Sequence, residues 1–94
     1  MAFFILYGLD SASGPEIRKT TRPAHLAWLE SLGPRYKFGS PMFAEDGATP
    51  LGSTVVIEAK DLAEAKATYA NDPYMKAKLW DRVDIRQIGQ WNPK

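Results

Sequence analysis

Cysteine is absent from this 94-residue chain and histidine occurs once. The first shortage excludes disulfides, thiolate nucleophiles, iron–sulfur clusters and cysteine-zinc sites. The second leaves zinc short of ligands, because catalytic zinc usually takes two or three histidines, or histidine with cysteine. Charge of one sign is lacking as well. Twelve basic residues stand against 11 acidic ones, a net charge of +1, so nothing calls for nucleic acid or an anionic membrane as partner. The apolar run Ala2–Leu9 falls far short of the roughly 20 residues of a membrane span. No basic stretch precedes it and no small-residue cleavage site follows it, so it reads as a buried strand and not as a signal. The glycines are scattered without a phosphate-loop pattern, and no serine sits in a nucleophile elbow. The expectation is a cytoplasmic protein with no metal and no organic cofactor.

What remains is the composition of a folded domain. At 45% hydrophobic and 24% charged residues, the chain is too apolar for disorder. Its length predicts one domain over 1–94, with 89–94 as a C-terminal tail. A chain this short buries only about 60–65% of its extended surface, so association is expected to supplement its core.

Hydropathy patterning predicts six main elements. Phe3–Gly8 is a continuous β-prone run, broken by the turn residues Asp10–Pro15. Between Glu16 and Leu32 the period becomes helical, with His25, Trp28, Leu29 and Leu32 on one stripe. Pro23 is expected in the first turn of the main helix, with Thr21 or Arg22 near the N-cap and 15–21 as a separate turn. Gly33-Pro34 ends the helix. Arg35–Phe43 reads as a strand in which Pro41 marks its end or an edge position, 44–52 as a loop, and Ser53–Ala59 as a strand. Asp61 and Glu64 lie at capping-box spacing ahead of a helix over 61–70. Asp72-Pro73 starts a further helical turn, and Trp80–Ile88 alternates as a half-exposed strand. The order β-α-β-β-α-β predicts a ferredoxin-like α+β fold, an antiparallel four-stranded sheet with both helices on one face. Nothing in the chain covers the other face, which predicts a homodimer.

The inventory leaves acid–base work by His25 with a carboxylate partner. His25 lies in the apolar stripe, and Arg18 and Arg22 project to the same side if the helix is continuous. Two readings stand: an imidazole on a pocket floor, or a core histidine satisfied by one hydrogen bond. Asp72 reads first as an N-cap. It serves a second role only if one carboxylate oxygen caps and the other faces a partner. Arg22 is an anion clamp or a solvated residue. Tyr74 orients a ligand or packs in the core, and Trp28, Trp80 and Trp91 stack on an aromatic ligand or line core and dimer seam.

Arg22-Pro23-Ala24-His25-Leu26, Ser40-Pro41-Met42, Gly52-Ser53 and Asn71-Asp72-Pro73-Tyr74, in this order, resemble the YCII-related family over nearly the whole chain. The resemblance implies a dimeric α/β barrel of ferredoxin-like subunits and an active site built on a His–Asp pair, here His25 and Asp72. One chemistry known in the family is dehydrochlorination of a chlorinated hydroxyhydroquinone, and muconolactone isomerases have a similar fold. Members usually carry Gly-Pro where this chain has Ser40-Pro41, so Ser40 would add a hydroxyl to the pocket. The resulting expectation is a lyase or isomerase acting on a small, activated, hydroxylated ring. His25 would be the general base and Asp72 would hold its other nitrogen. Arg22, with Arg18 or Ser53, would stabilise the oxyanion, and Ser40 and Tyr74 would line the substrate site. The alternatives are a non-catalytic small-molecule-binding or accessory dimer and a cofactor-independent oxygenase.

Overall fold

Strand β1 (Ala2–Asp10) runs through the middle of the sheet, flanked on one side by β3 (Pro50–Ala59) and on the other by β4 (Trp80–Ile88). The computed structural model describes residues 1–89. Strand β2 (Tyr36–Phe43) completes the order β2-β3-β1-β4 at an edge, and all three pairings are antiparallel. The edge position explains how Pro41 is tolerated, since a proline cannot donate to a second neighbour. Helices α1 (Gly14–Ser31), α2 (Leu62–Tyr69) and the single turn α3 (Pro73–Lys76) make up the helical layer. This is the ferredoxin-like α+β arrangement.

Alternation along the strands divides the sheet into two unlike faces. Phe4 and Leu6 of β1 and Val55, Ile57 and Ala59 of β3 form the core with Leu29, Ala65, Tyr69, Tyr74, Leu79 and Trp80. Gly8 lacks a side chain because the Trp80 ring occupies that space: a Cβ there would lie 2.6 Å from Trp80 Cγ. The buried Tyr69 hydroxyl lies 3.0 Å from the Phe4 carbonyl and 2.7 Å from that of Val55, shared between the two central strands. Burial holds this phenol well above its ordinary range.

Several boundaries differ from the sequence reading. The first helix is one element, not a turn followed by a helix, and Pro23 lies inside it. Pro15 is the first-turn proline. Pro23 is tolerated because it and Lys19, whose carbonyl loses its donor, are both exposed to water. The second strand begins at Tyr36, because Gly33–Arg35 forms a 3-10 turn in which Gly33 takes a left-handed φ of 58°. Strand β3 starts at Pro50 and not at Ser53, as pairing of Phe43 with Pro50 lengthens the hairpin. Helix α2 and its cap agree closely with expectation: Asp61 accepts from Glu64 N at 2.8 Å. Trp80 sits in the core. Trp91 and the predicted tail beyond Gly89 lie outside the described residues.

Candidate active site

The single histidine is carried on the sheet-facing side of α1, where the helical period places it one turn before Leu29. His25 is 8% exposed. Its Nδ1 lies 2.8 Å from Oδ1 of Asp72, a residue with no exposed surface. A carboxylate accepts hydrogen bonds, so opposite it Nδ1 is the donor, and in a neutral imidazole this arrangement leaves the lone pair on Nε2. The Tyr74 ring stacks on the imidazole, with centroids 4.1 Å apart and planes inclined by 19°, and Trp28 lies at 6.2 Å. Asp72 is placed by local chemistry: it is the N-cap of α3, with Pro73 in the first turn and Tyr74 N donating to Oδ1 at 2.9 Å.

The two hydrogen bonds of Asp72 are not divided between its oxygens as expected. Oδ1 accepts from both His25 and Tyr74, and Oδ2 is buried with no partner among the described residues. The reason is geometric: the cap turns Oδ1 towards the N–H of Tyr74, and the imidazole approaches that same side. An unsatisfied carboxylate oxygen in the interior costs about 1–3 kcal/mol.

In front of the imidazole lies a cleft of about 160 Å³ between α1 and the β2–β3 hairpin. Arg18, Arg22, His25 and Leu26 line its helical side, and Tyr36, Gly39, Ser40, Pro41, Ser53 and Thr54 its strand side, with Tyr74 at the end. All the site residues expected from sequence therefore border the cleft except Asp72, which stands behind His25. Their chemical states differ from expectation in two respects. Arg18 is already committed: Nε and Nη2 bind the two carboxylate oxygens of Asp10 at 2.7 and 2.9 Å, and Nη2 also donates to Gly52 O and Ser53 Oγ. Its charge is thus neutralised by Asp10, which leaves Arg22 as the cleft cation with no ion pair among the described residues. Ser40 borders the cleft, but its hydroxyl donates to Pro41 O at 2.9 Å. The register pairs Ser40 with Thr54, whose strand position alternates with the helix-facing Ser53 and Val55. Burial raises the Tyr74 phenol, and the Arg18 and Arg22 charges partly offset this.

The sequence reading missed Asp10 and Tyr36. Asp10 lay in a stretch of turn residues with no local sign that it answers an arginine across the loop. Tyr36 carries no motif; only the strand register brings its ring to the cleft. Among the described residues no group of three or more His, Asp or Glu side chains could hold a metal ion.

A ferredoxin-like protein with a buried histidine–aspartate pair facing a cleft between its first helix and its hairpin is the class that fold and site define. The YCII-related domain matches residues 1–91, and the chain belongs to this family. It is 36% identical over 90 residues to Protein YciI of Escherichia coli O6:H1, covering 88% of this chain and 92% of that protein. The same figures hold for Protein YciI of Shigella flexneri. Among solved structures it is similar to 5-chloro-2-hydroxyhydroquinone dehydrochlorinase from Burkholderia phenoliruptrix AC1100 in complex with 2,5-dihydroxybenzoquinone. There the TM-score is 0.78 and the identity 28%, over 96% of this chain and 93% of that one. A cofactor-independent oxygenase from Streptomyces nogalater shares the fold alone, with a TM-score of 0.56 and 12% identity over 99% and 97% of the two chains.

Proposed function

We propose that the protein is a cofactor-independent lyase or isomerase in which His25 is the general base acting on a small hydroxylated ring. The observation that carries this reading is the 2.8 Å contact between His25 Nδ1 and Asp72 Oδ1. It directs the second ring nitrogen away from the aspartate, on a residue that borders the cleft. Nε2 takes a proton from a phenolic hydroxyl or an acidic C–H. The electron pair stays on the ring system, and the imidazolium is stabilised by the buried Asp72 carboxylate. The cation of Arg22 stabilises the oxyanion. Departure of chloride with its bonding pair completes an elimination, and return of the proton to another ring carbon completes an isomerisation. General-base catalysis supplies about 10²–10⁴-fold, so the ring must already be activated. The dehydrochlorinase neighbour, which binds 2,5-dihydroxybenzoquinone, supports a ligand of this class. The working unit in this proposal is a homodimer, in the reducing cytoplasm that suits a cysteine-free chain.

One observation favours a second reading, a binding or accessory dimer without catalysis. The Asp72 oxygen that holds His25 also caps α3, so the pair ties α1 to α3 whatever else it does.

The test is a turnover screen of small hydroxylated and chlorinated aromatics. His25→Asn is expected to abolish turnover with circular dichroism unchanged. Asp72→Asn keeps an acceptor oxygen but loses the charge, and should lower the rate at least about tenfold. Its denaturation midpoint is measured alongside, to separate the rate effect from loss of the cap. Full activity of His25→Asn on a verified substrate would end the general-base reading.

A further inference from the structure

The strand wall of the cleft carries a hydroxyl for which the fold has no use. The Tyr36 ring packs against the core from the first position of β2, a task that phenylalanine would perform equally. The hydroxyl itself has no hydrogen-bond partner among the described residues, although Tyr36 borders the cleft. Gly39, three residues on, borders it too. A Cβ at Gly39 would lie 3.0 Å from the Tyr36 hydroxyl oxygen and 3.4 Å from its Cε1. Such a contact is too tight for both to keep their places. Gly39 is not in a left-handed conformation, as only Gly33 and Gly47 among the glycines have positive φ. Its backbone therefore does not require glycine, but an added Cβ would push the Tyr36 hydroxyl aside by a few tenths of an ångström.

We infer that Tyr36 is a specificity-determining residue of the cleft: its hydroxyl binds an oxygen substituent of the ring, and Gly39 keeps that hydroxyl in place. The inference rests on the reading of the cleft as a ligand site. Three other polar groups there are already engaged, and the Thr54 hydroxyl is buried out of reach. Arg18 is held by Asp10, Ser53 Oγ accepts from Arg18, and the Ser40 hydroxyl is bonded to Pro41 O. His25 Nε2, the Arg22 guanidinium and the hydroxyls of Tyr36 and Tyr74 are left to address a ligand, and of these only the Tyr36 hydroxyl comes from the strand wall without a bond to another side chain. The volume of this open cleft is enough for one ring. A cavity of about 150 Å³ holds one benzene-sized ring, and this cleft measures about 160 Å³. The ligand class is a monocyclic ring with at least two oxygen functions, one addressed from α1 and one from β2.

The experiment is a titration of wild type, Tyr36→Phe, Gly39→Ala and the double variant with hydroquinone and with phenol, followed by NMR. One neutral hydrogen bond corresponds to a loss of about threefold to tenfold in affinity. Tyr36→Phe is expected to weaken hydroquinone by that factor and to leave phenol unchanged, since a single hydroxyl is taken by His25. Gly39→Ala should weaken hydroquinone when residue 36 is tyrosine and have little effect in the Tyr36→Phe background, where the crowded oxygen is gone. Equal hydroquinone affinity of wild type and Tyr36→Phe overturns the inference. So does an equal effect of Gly39→Ala in both backgrounds, or no binding of hydroquinone to wild type at millimolar concentration. These readouts need no turnover: if His25→Asn stays active while Tyr36→Phe binds weakly, the general base falls and Tyr36 stands.

Discussion

Arg18 shows how an arginine next to a candidate site can belong to the framework. Its fork matches the Asp10 carboxylate in a bidentate pair whose side chains are 14% and 9% exposed. The pair joins the end of β1 to the first turns of α1, and the further bonds to Gly52 O and Ser53 Oγ bring in β3. Removing one partner leaves a largely buried charge, which is far more costly than never having built the pair. Asp10→Ala is therefore expected to destabilise the fold by about 3 kcal/mol, read from the denaturant midpoint. A loss below about 1 kcal/mol would show the pair to be no more than a solvated contact. From sequence, Arg18 and Arg22 were indistinguishable, one turn apart on the same stripe. Only the position of Asp10 separates the neutralised arginine from the free one.

At the scale of elements, α1 and the β2–β3 connection show local rules giving way in different degrees. A proline in a helix interior costs about 3 kcal/mol relative to alanine, which is why the sequence suggests a break before Pro23. The helix continues because its buried stripe through His25 and Leu29 and the Arg18 anchor hold both halves against the sheet. Pro23→Ala restores the missing donor to the Lys19 carbonyl. It should raise stability by about 2 kcal/mol once the added freedom of the unfolded chain is subtracted, as a higher thermal midpoint. In the hairpin connection the local chemistry suffices. Asp46 accepts from the Thr49 hydroxyl, Thr49 N and Ala48 N, and these bonds lower its carboxyl from 3.8 to about 2. A depressed folded value means that the contribution is complete above the ordinary carboxylate range and is lost as pH falls through about 2. The amide resonances of Ala48 and Thr49 should move together with that midpoint, and Asp46→Asn should remove the transition.

At the scale of the molecule, the sheet has one face covered by the helices and one face on which no helix among the described residues packs. The register aligns Phe38, Val56, Ile5 and Arg86 in one row and Ser40, Thr54, Tyr7 and Asp84 in the next, both across all four strands. These side chains point away from the helices. Tyr7 is 41% exposed, and the Thr54 hydroxyl is buried without a partner among the described residues. A second copy placed face to face would cover the exposed Phe38 and Tyr7 rings. Sedimentation is expected to give a dimer at micromolar concentration. Tyr7→Lys should return a folded monomer, because two added charges would meet in the seam. A wild-type monomer at that concentration would refute the paired arrangement. Among the described residues no helix is long and apolar enough to cross a membrane.

The sequence by itself determined the element order, because hydrophobic period and turn chemistry are local: residues two, three or four apart report directly on strand and helix. It also pointed to His25, since a chain with one histidine and no cysteine has a single side chain with an ordinary pKa near neutrality. What tertiary structure alone decided are relations between residues far apart in the chain. Asp72 Oδ1 serves His25 across 47 residues while capping its own helix. Asp10 removes Arg18 from the free charges of the cleft, and the strand register brings the Tyr36 hydroxyl into it. No local pattern encodes these, because each depends on which strand lies beside which and on the space left between them.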